Sequence, residues 1–164
     1  VPVCESMYRK RLKGYASIGY RIRNEEVFDS LFPTTDLIYD GLNFASPFIS
    51  ALSLCKHSVV VSCPKVRIGR QIQIAERLVD LVANGIEVVL YAKEENDDTL
   101  RLQHQGVSVI IINHLSLHAA IIDKSTIWYG SVNILGFHSI EDNLIRFKNP
   151  EIATSLLETL HKNS

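Results

Sequence analysis

The densest run of chemistry-bearing side chains is Ser116-Leu117-His118-Ala119-Ala120-Ile121-Ile122-Asp123, followed after six residues by Gly130-Ser131-Val132-Asn133. It gathers an imidazole, which titrates near neutrality, with a carboxylate, two hydroxyls and an amide. A second group is cationic: Lys65, Arg67 and Arg70 follow directly on Pro64. A third is the N-terminal stretch. Residues 1–23 carry six basic side chains (Arg9, Lys10, Arg11, Lys13, Arg21, Arg23) and one acid, Glu5, with Tyr8, Tyr15 and Tyr20 interleaved. Arg and Lys neutralise phosphates and Tyr rings stack on bases, so Arg9, Lys10 and Arg11 are candidate nucleic-acid contacts. The plainer reading is a solvated linker, because charge runs are often only that.

The thiols offer less. Cys4, Cys55 and Cys63 are odd in number and lack paired spacing, which argues against a disulfide framework and for a reducing cytoplasm. No C-x-x-C and no Cys/His pair at a zinc spacing occurs. Cys55 and His57 lie close, but a strand-edge cysteine is usually a small core hydrophobe. Neither metal nor cofactor is expected.

These groups must be carried by elements, and the chain alternates between two periods. Residues 44–54 read as a helix ending near Lys56, and the run HSVVVSC, stopped by Pro64, as a buried strand. Residues 70–83 place Ile72, Ala75, Leu78, Val79 and Val82 at helical spacing, closed by Asn84-Gly85. A strand over 86–91, a polar helix over 97–105 closed by Gly106, and a strand over 107–112 follow. Residues 117–123 and 126–129 read as a hairpin turning at Lys124-Ser125, residues 144–147 as a strand, and Pro150 opens a last helix through about Leu160. Strands alternating with helices and then a hairpin predict an α/β domain: a mixed β-sheet flanked by helices, its first three strands parallel. Ligands of such sheets bind beyond the carboxyl ends of the parallel strands, which would put Lys65, Arg67 and Arg70 at a cleft mouth. Read instead as a helix start, that position slightly disfavours cations, since a helix N-terminus is already positive.

Length and composition bound the rest. The chain has 164 residues, 46% hydrophobic and 21% charged, with a formal net charge of −1. That is the balance of an ordinary globular protein with one core. It excludes a globally basic nucleic-acid coat and an acidic disordered tail. No stretch approaches the roughly 18 apolar residues of a membrane span, and residues 1–7 lack an apolar signal core. Val1 is not a natural start, so a missing upstream region is expected. Residues 1–30 would be a basic arm from it, and residues 31–164 the folded domain.

The stretch ending IIDKSTIWYGSVNILGF resembles the phospholipase D superfamily, whose motif is H-x-K-x4-D, six residues, then G-S-x-N. Asp123, the six-residue gap, Gly130, Ser131 and Asn133 all fall in place. The run SVVVSCP and the segments NGIEVVLYA and QGVSVIII resemble the family's upstream strands, and the likeness covers about 37–162. Gly-Ser-x-Asn alone would be weak, but with the preceding IID and the correct gap it is fairly specific. Tyr39-Asp40-Gly41, the arm and WYGSVNILGF are similar to phospholipase D-like domains of prokaryotic helicase-like and DNA-processing proteins.

The resemblance implies a single motif copy and a metal-independent reaction at phosphorus. In the family the histidine is the nucleophile. The lysine, with the Ser and Asn of G-S-x-N, grips the phosphate oxygens, and a second histidine from another copy protonates the leaving group. A homodimer across the cleft would supply that copy. This sequence departs from the pattern. Counted back from Asp123 without gaps, H-x-K has become Ser116-x-His118. A gapped alignment would put His118 at the nucleophile position, at the expense of two residues deleted from a strand. Either way the lysine is absent. Ser116 is a poor substitute for imidazole, and His118 is cationic only below roughly pH 6.5.

The resemblance therefore implies a pocket in which His118, Ser131 and Asn133 still bind phosphate, with Glu141 or Asp142 as the carboxylate that orients a catalytic histidine. The plainer readings stay beside it. Ser131 and Asn133 would cap a following helical turn, His118 would be a core histidine, and Asp123 a turn residue. His114 and His138 flank the motif as candidates to enter the cleft. Three functions follow, in this order. The first is a catalytically impaired domain that binds nucleic acid, DNA ahead of RNA, as an accessory module of a larger DNA-processing or helicase-like protein. The second is a metal-independent phosphodiesterase using His118. The third is a dimerisation module with a vestigial cleft. No membrane partner is implied.

Overall fold

The computed structural model describes residues 37–164. Arg9, Lys10 and Arg11, with the rest of the basic arm and Cys4, lie outside the described residues.

The elements run β1 (Leu37–Asp40), α1 (Ala45–Ser53), β2 (Ser58–Ser62), a 3-10 turn (Ile68–Arg70), α2 (Ile72–Ala83), β3 (Glu87–Ala92), α3 (Asp97–His104), β4 (Ser108–Ile111), β5 (Ala119–Ile122), β6 (Thr126–Gly130), β7 (Asn143–Lys148) and α4 (Pro150–Asn163). The strands form one seven-stranded mixed sheet in the order β1-β7-β6-β5-β2-β3-β4. β2, β3 and β4 are parallel, as the helical crossovers between them require. β5, β6, β7 and β1 add antiparallel pairs. The fold class expected from the sequence is the one observed.

Local chemistry sets the boundaries. Asn96 and Thr99 form a reciprocal capping box on α3, and Asn149 caps α4 with Pro150 in its first turn. Gly85 and Gly106 follow α2 and α3 with φ of +84° and +103°, a backbone that side chains with a Cβ rarely adopt. In the β5–β6 hairpin the turn falls one residue earlier than expected. Asp123 and Lys124, not Lys124 and Ser125, take the left-handed pair, with φ of +54° and +57°. A primed turn matches the strand twist, and Asp tolerates that conformation.

Alternation sorts the core onto two faces. Val59, Val61, Ala120 and Trp128 pack with Phe48, Leu52, Ile74, Leu78 and Leu102, so α1, α2 and α3 cover one face. Val60, Ile121 and Ile127 pack with Ala153, Leu156 and Leu157, so α4 covers the other. β2 and β5 are covered on both faces, which explains their unbroken apolar sequences.

β1 was not expected from the sequence. It is a four-residue edge strand whose Ile38 is 71% exposed. Tyr39 holds it down, its ring stacked 5.3 Å from the buried Trp128.

The pairing has one consequence for function. Ser62 faces Ala119, Ala119 faces Tyr129, Gly130 faces Leu144, and Asp40 faces Asn143. The carboxyl ends of β1, β2 and β6 thus meet the amino ends of β5 and β7 at one end of the sheet.

Candidate phosphate site at one end of the sheet

That end gathers most of the candidate residues. His118 immediately precedes β5 and is half-buried. The Ser62 hydroxyl donates to the Leu117 carbonyl at 2.8 Å, and Gly130 N–H donates to the His118 carbonyl at 3.2 Å. These bonds fix the imidazole's backbone between β2 and β6. Burial pushes the His118 imidazole below its ordinary value, partly offset by the Asp142 charge, the Asn133 side chain and the Ser116 backbone. Burial thus disfavours the charged form, which makes the ring a poor cationic replacement for a lysine there. Ser116 stands two residues further out and is exposed.

Ser131 and Asn133 lie just past β6. Gly130 is needed at the strand end, because a Cβ there would collide with the backbone carbonyl of Asn143. That close approach lets Ser131 N–H donate to the Asn143 carbonyl at 2.8 Å and lets the Ser131 hydroxyl accept from Asn143 N–H at 3.1 Å. The hydroxyl in turn donates to the Asp142 carboxylate at 3.0 Å. Asn133 donates through Nδ2 to the Phe137 carbonyl at 3.1 Å. Neither residue caps a helix, since the segment between β6 and β7 contains only turns.

Asp142 is the carboxylate of this cluster. The backbone N–H of Ser139, at 2.8 Å, is the main influence holding its carboxyl below the usual range. The Ser131 hydroxyl and the His138 and His118 rings add to the effect against a small contrary effect of burial. Glu141 is exposed and joins the cluster through its backbone. His138 is fastened to the scaffold. Its Nε2 lies 2.8 Å from the Gly41 carbonyl, its Nδ1 3.3 Å from that of Gly136, and its ring meets Phe44 edge-on at 5.1 Å. His114 is an exposed turn residue after β4.

The cationic group borders the same cluster. Lys65, Arg67 and Arg70 are all exposed. They do not start a helix: Lys65 and Arg67 lie in the loop after β2, and Arg70 ends the 3-10 turn. This loop is bound to the Ser131–His138 segment. Arg67 N–H donates to the Leu135 carbonyl at 2.7 Å, and Gly136 sits so close to the Lys65 carbonyl that a Cβ would collide with it. The Cys63 thiol lies 3.8 Å from Asn133 Oδ1. Burial pushes the Cys63 thiol up to about 12 and the Cys55 thiol up to about 11, so neither is a nucleophile at neutral pH.

Asp123 is not brought to this cluster. It follows the other end of β5, about 17 Å from His118 at roughly 3.4 Å per residue. Its carboxylate accepts from the backbone N–H groups of His57 at 2.7 Å, Ser58 at 3.1 Å and Lys56 at 3.1 Å, and from the Cys55 thiol at 3.3 Å. Burial tends to raise its pKa, but those donors together hold it below the usual carboxylate range. Its position fits a clamp between β5 and the start of β2. Among the described residues no cluster of three or more His, Cys, Asp or Glu side chains could hold a metal ion, and no helix is long and apolar enough to cross a membrane.

No family model matches the sequence, and no curated protein matches it significantly. Solved structures do. Nuc from Salmonella typhimurium, a phospholipase D family member, superposes with a TM-score of 0.64 at 16% identity, over 79% of this chain and 93% of its own. The chain shares the fold of this phospholipase D family member. NucT from Helicobacter pylori gives a TM-score of 0.64 at 15% identity, over 79% of this chain and 95% of its own. TrmBL2, an archaeal chromatin protein described for a novel mode of DNA binding, gives 0.59 at 9% identity, over 98% of this chain and 62% of its own. On this phospholipase D fold, the sheet end that gathers His118, Ser131, Asn133 and Asp142 is bordered by the Lys65–Arg70 loop.

Sequence reasoning missed two members of the site. Phe137 was passed over because it lies in no element, and Ser62 because it ends a strand that reads as core. An aromatic residue directly after a loop glycine and a hydroxyl closing an apolar run were the available signals.

Proposed function

We propose that this domain binds the phosphate backbone of nucleic acid at this end of the sheet and is impaired as a phosphodiesterase. The observation that carries the reading is the joining of the Lys65–Arg70 loop to the segment bearing Ser131 and Asn133. Exposed cations then border a segment whose Ser131 hydroxyl and Asn133 amide are donors a phosphate's oxygens could engage. Asp142 holds the Ser131 proton, so an incoming phosphate oxygen competes with that carboxylate, and attraction must come from the loop cations. Impairment follows from the residue types. Ser116 offers no imidazole, and His118, its charged form disfavoured by burial, is a poor replacement for the missing lysine charge.

In this reading the domain is an accessory module of a larger DNA-processing or helicase-like protein. DNA is favoured over RNA, and Arg9, Lys10 and Arg11 are separate candidate contacts to it. The description of TrmBL2 as binding DNA supports the direction. Two copies pairing across the cleft belong to the same proposal, checked by sedimentation. The test of binding is salt dependence. Affinity for DNA, single- or double-stranded, should fall steeply with salt, and Lys65→Ala and Arg67→Ala should each reduce the slope by about one unit. A flat response would remove the reading.

One observation favours a second reading, a metal-independent phosphodiesterase. Burial favours the uncharged form of His118, and the Asp142 carboxylate lies near it, an arrangement that suits a nucleophile. Cleavage in EDTA that disappears in His118→Ala would select it.

A further inference from the structure

Phe137 belongs to none of the hydrophobic core clusters. It is 55% exposed, yet the chain around it is fixed on every side. Its own carbonyl accepts from Asn133 Nδ2. Gly136 before it abuts the Lys65 carbonyl, and the ring nitrogens of His138 after it lie 2.8 and 3.3 Å from two backbone carbonyls. The Arg70 guanidinium lies 4.7 Å from the centroid of its ring. An aromatic ring held out in water on a rigid mount, backed by a cation on one face, is suited to receive a flat partner on the other.

We propose that Phe137, backed by Arg70, is a stacking platform for an unpaired nucleobase whose phosphate lies at Ser131 and Asn133. The inference rests on the nucleic-acid reading above and narrows it to single strands. The Asn133 side chain is one hydrogen bond from the Phe137 backbone, so pocket and ring lie within reach of one nucleotide. In a duplex the faces of a base are taken by its stacked neighbours, whereas an unpaired base offers a face to an aromatic side chain. Such stacking reads no sequence, because every base has a face.

The full chain would be titrated with four fluorescent oligomers of equal length: oligodeoxythymidine, its abasic counterpart, a blunt duplex and oligouridine. The wild-type protein should bind oligodeoxythymidine about ten-fold tighter than the abasic strand, within the range of one stacked base. Phe137→Ala should abolish that preference, costing oligodeoxythymidine about ten-fold more affinity than the abasic strand. Phe137→Trp should restore it. Because Trp128 is buried and is the chain's one tryptophan, the added indole would report stacking as red-edge quenching by the oligomer. Equal losses on the DNA and RNA strands support shared base-plus-phosphate chemistry, and a loss on one alone supports the platform and names its sugar. If the wild type binds the abasic strand with steep salt dependence but shows no base preference, the platform is overturned and the nucleic-acid reading stands. If it binds none of the four, both are overturned.

Discussion

Replacing Asp123 by asparagine probes whether the motif carboxylate is chemistry or scaffold. Oδ1 of Asp123 accepts from His57, Ser58 and the Cys55 thiol, and Lys56 N–H is forked between Oδ1 at 3.2 Å and Oδ2 at 3.1 Å. Asparagine keeps one acceptor oxygen and turns an NH2 group toward the fourth donor. Lys56 N–H keeps only the Oδ1 half of its forked bond and meets an NH2 group in place of the other, and all the bonds weaken as the charge disappears, a charge-assisted bond being worth about 1.5–3 kcal/mol. Partial exposure of the carboxylate reduces the total, so we expect Asp123→Asn to cost about 2–3 kcal/mol in urea unfolding at pH 7. The pH dependence has a defined sign. A carboxyl held below its ordinary pKa contributes stability that is complete above that ordinary value and is lost as pH falls through the folded value. The gap between wild type and variant should be constant from pH 7 to about 5 and narrow below about pH 4. Nucleic-acid affinity of the folded variant should be unchanged. A loss of binding or cleavage with stability intact would refute the clamp and return Asp123 to the functional site.

Three further outcomes follow from the same geometry. Gly130→Ala should cost about 2–3 kcal/mol in the same assay, because its Cβ would meet the Asn143 carbonyl and push β6 from β7. Burial lowers the His118 pKa, so wild type should lose stability on acidification through the folded value, and His118→Gln should lose less. Phosphate affinity should strengthen over the same range as the ring becomes cationic, and parallel pH curves for the two proteins would show that His118 is not the titrating group. The double change Ser116→His with His118→Lys should produce metal-independent cleavage where the wild type shows none, and continued inactivity would count against the gapless alignment.

The strands between 58 and 148 were readable because β2, β3 and β5 are apolar runs between clear punctuation, such as Pro64, Gly85 and Gly106. β1 was not, because Leu37-Ile38-Tyr39-Asp40 has no alternation to expose. Its pairing depends on Tyr39 reaching Trp128, a contact far away in sequence. The residues at the site end were nameable from the motif, but their roles were not. Asp123 sits beside His118 in the sequence reading and at the far end of a strand in space. Asp142 could not be told from Glu141 by type, since only the Ser131 hydroxyl and the Ser139 amide distinguish them. Lys65 and Arg67 could be read as bordering a cleft or as a helix start, because no sequence signal announces a loop pinned by the Leu135 carbonyl.

The most direct test is to incubate the protein with labelled single- and double-stranded DNA in EDTA, following binding and cleavage in the same samples across a salt series. We predict salt-sensitive binding with both substrates left intact. Cleavage that survives EDTA and is abolished in His118→Ala would contradict the account and make His118 the nucleophile of a working enzyme.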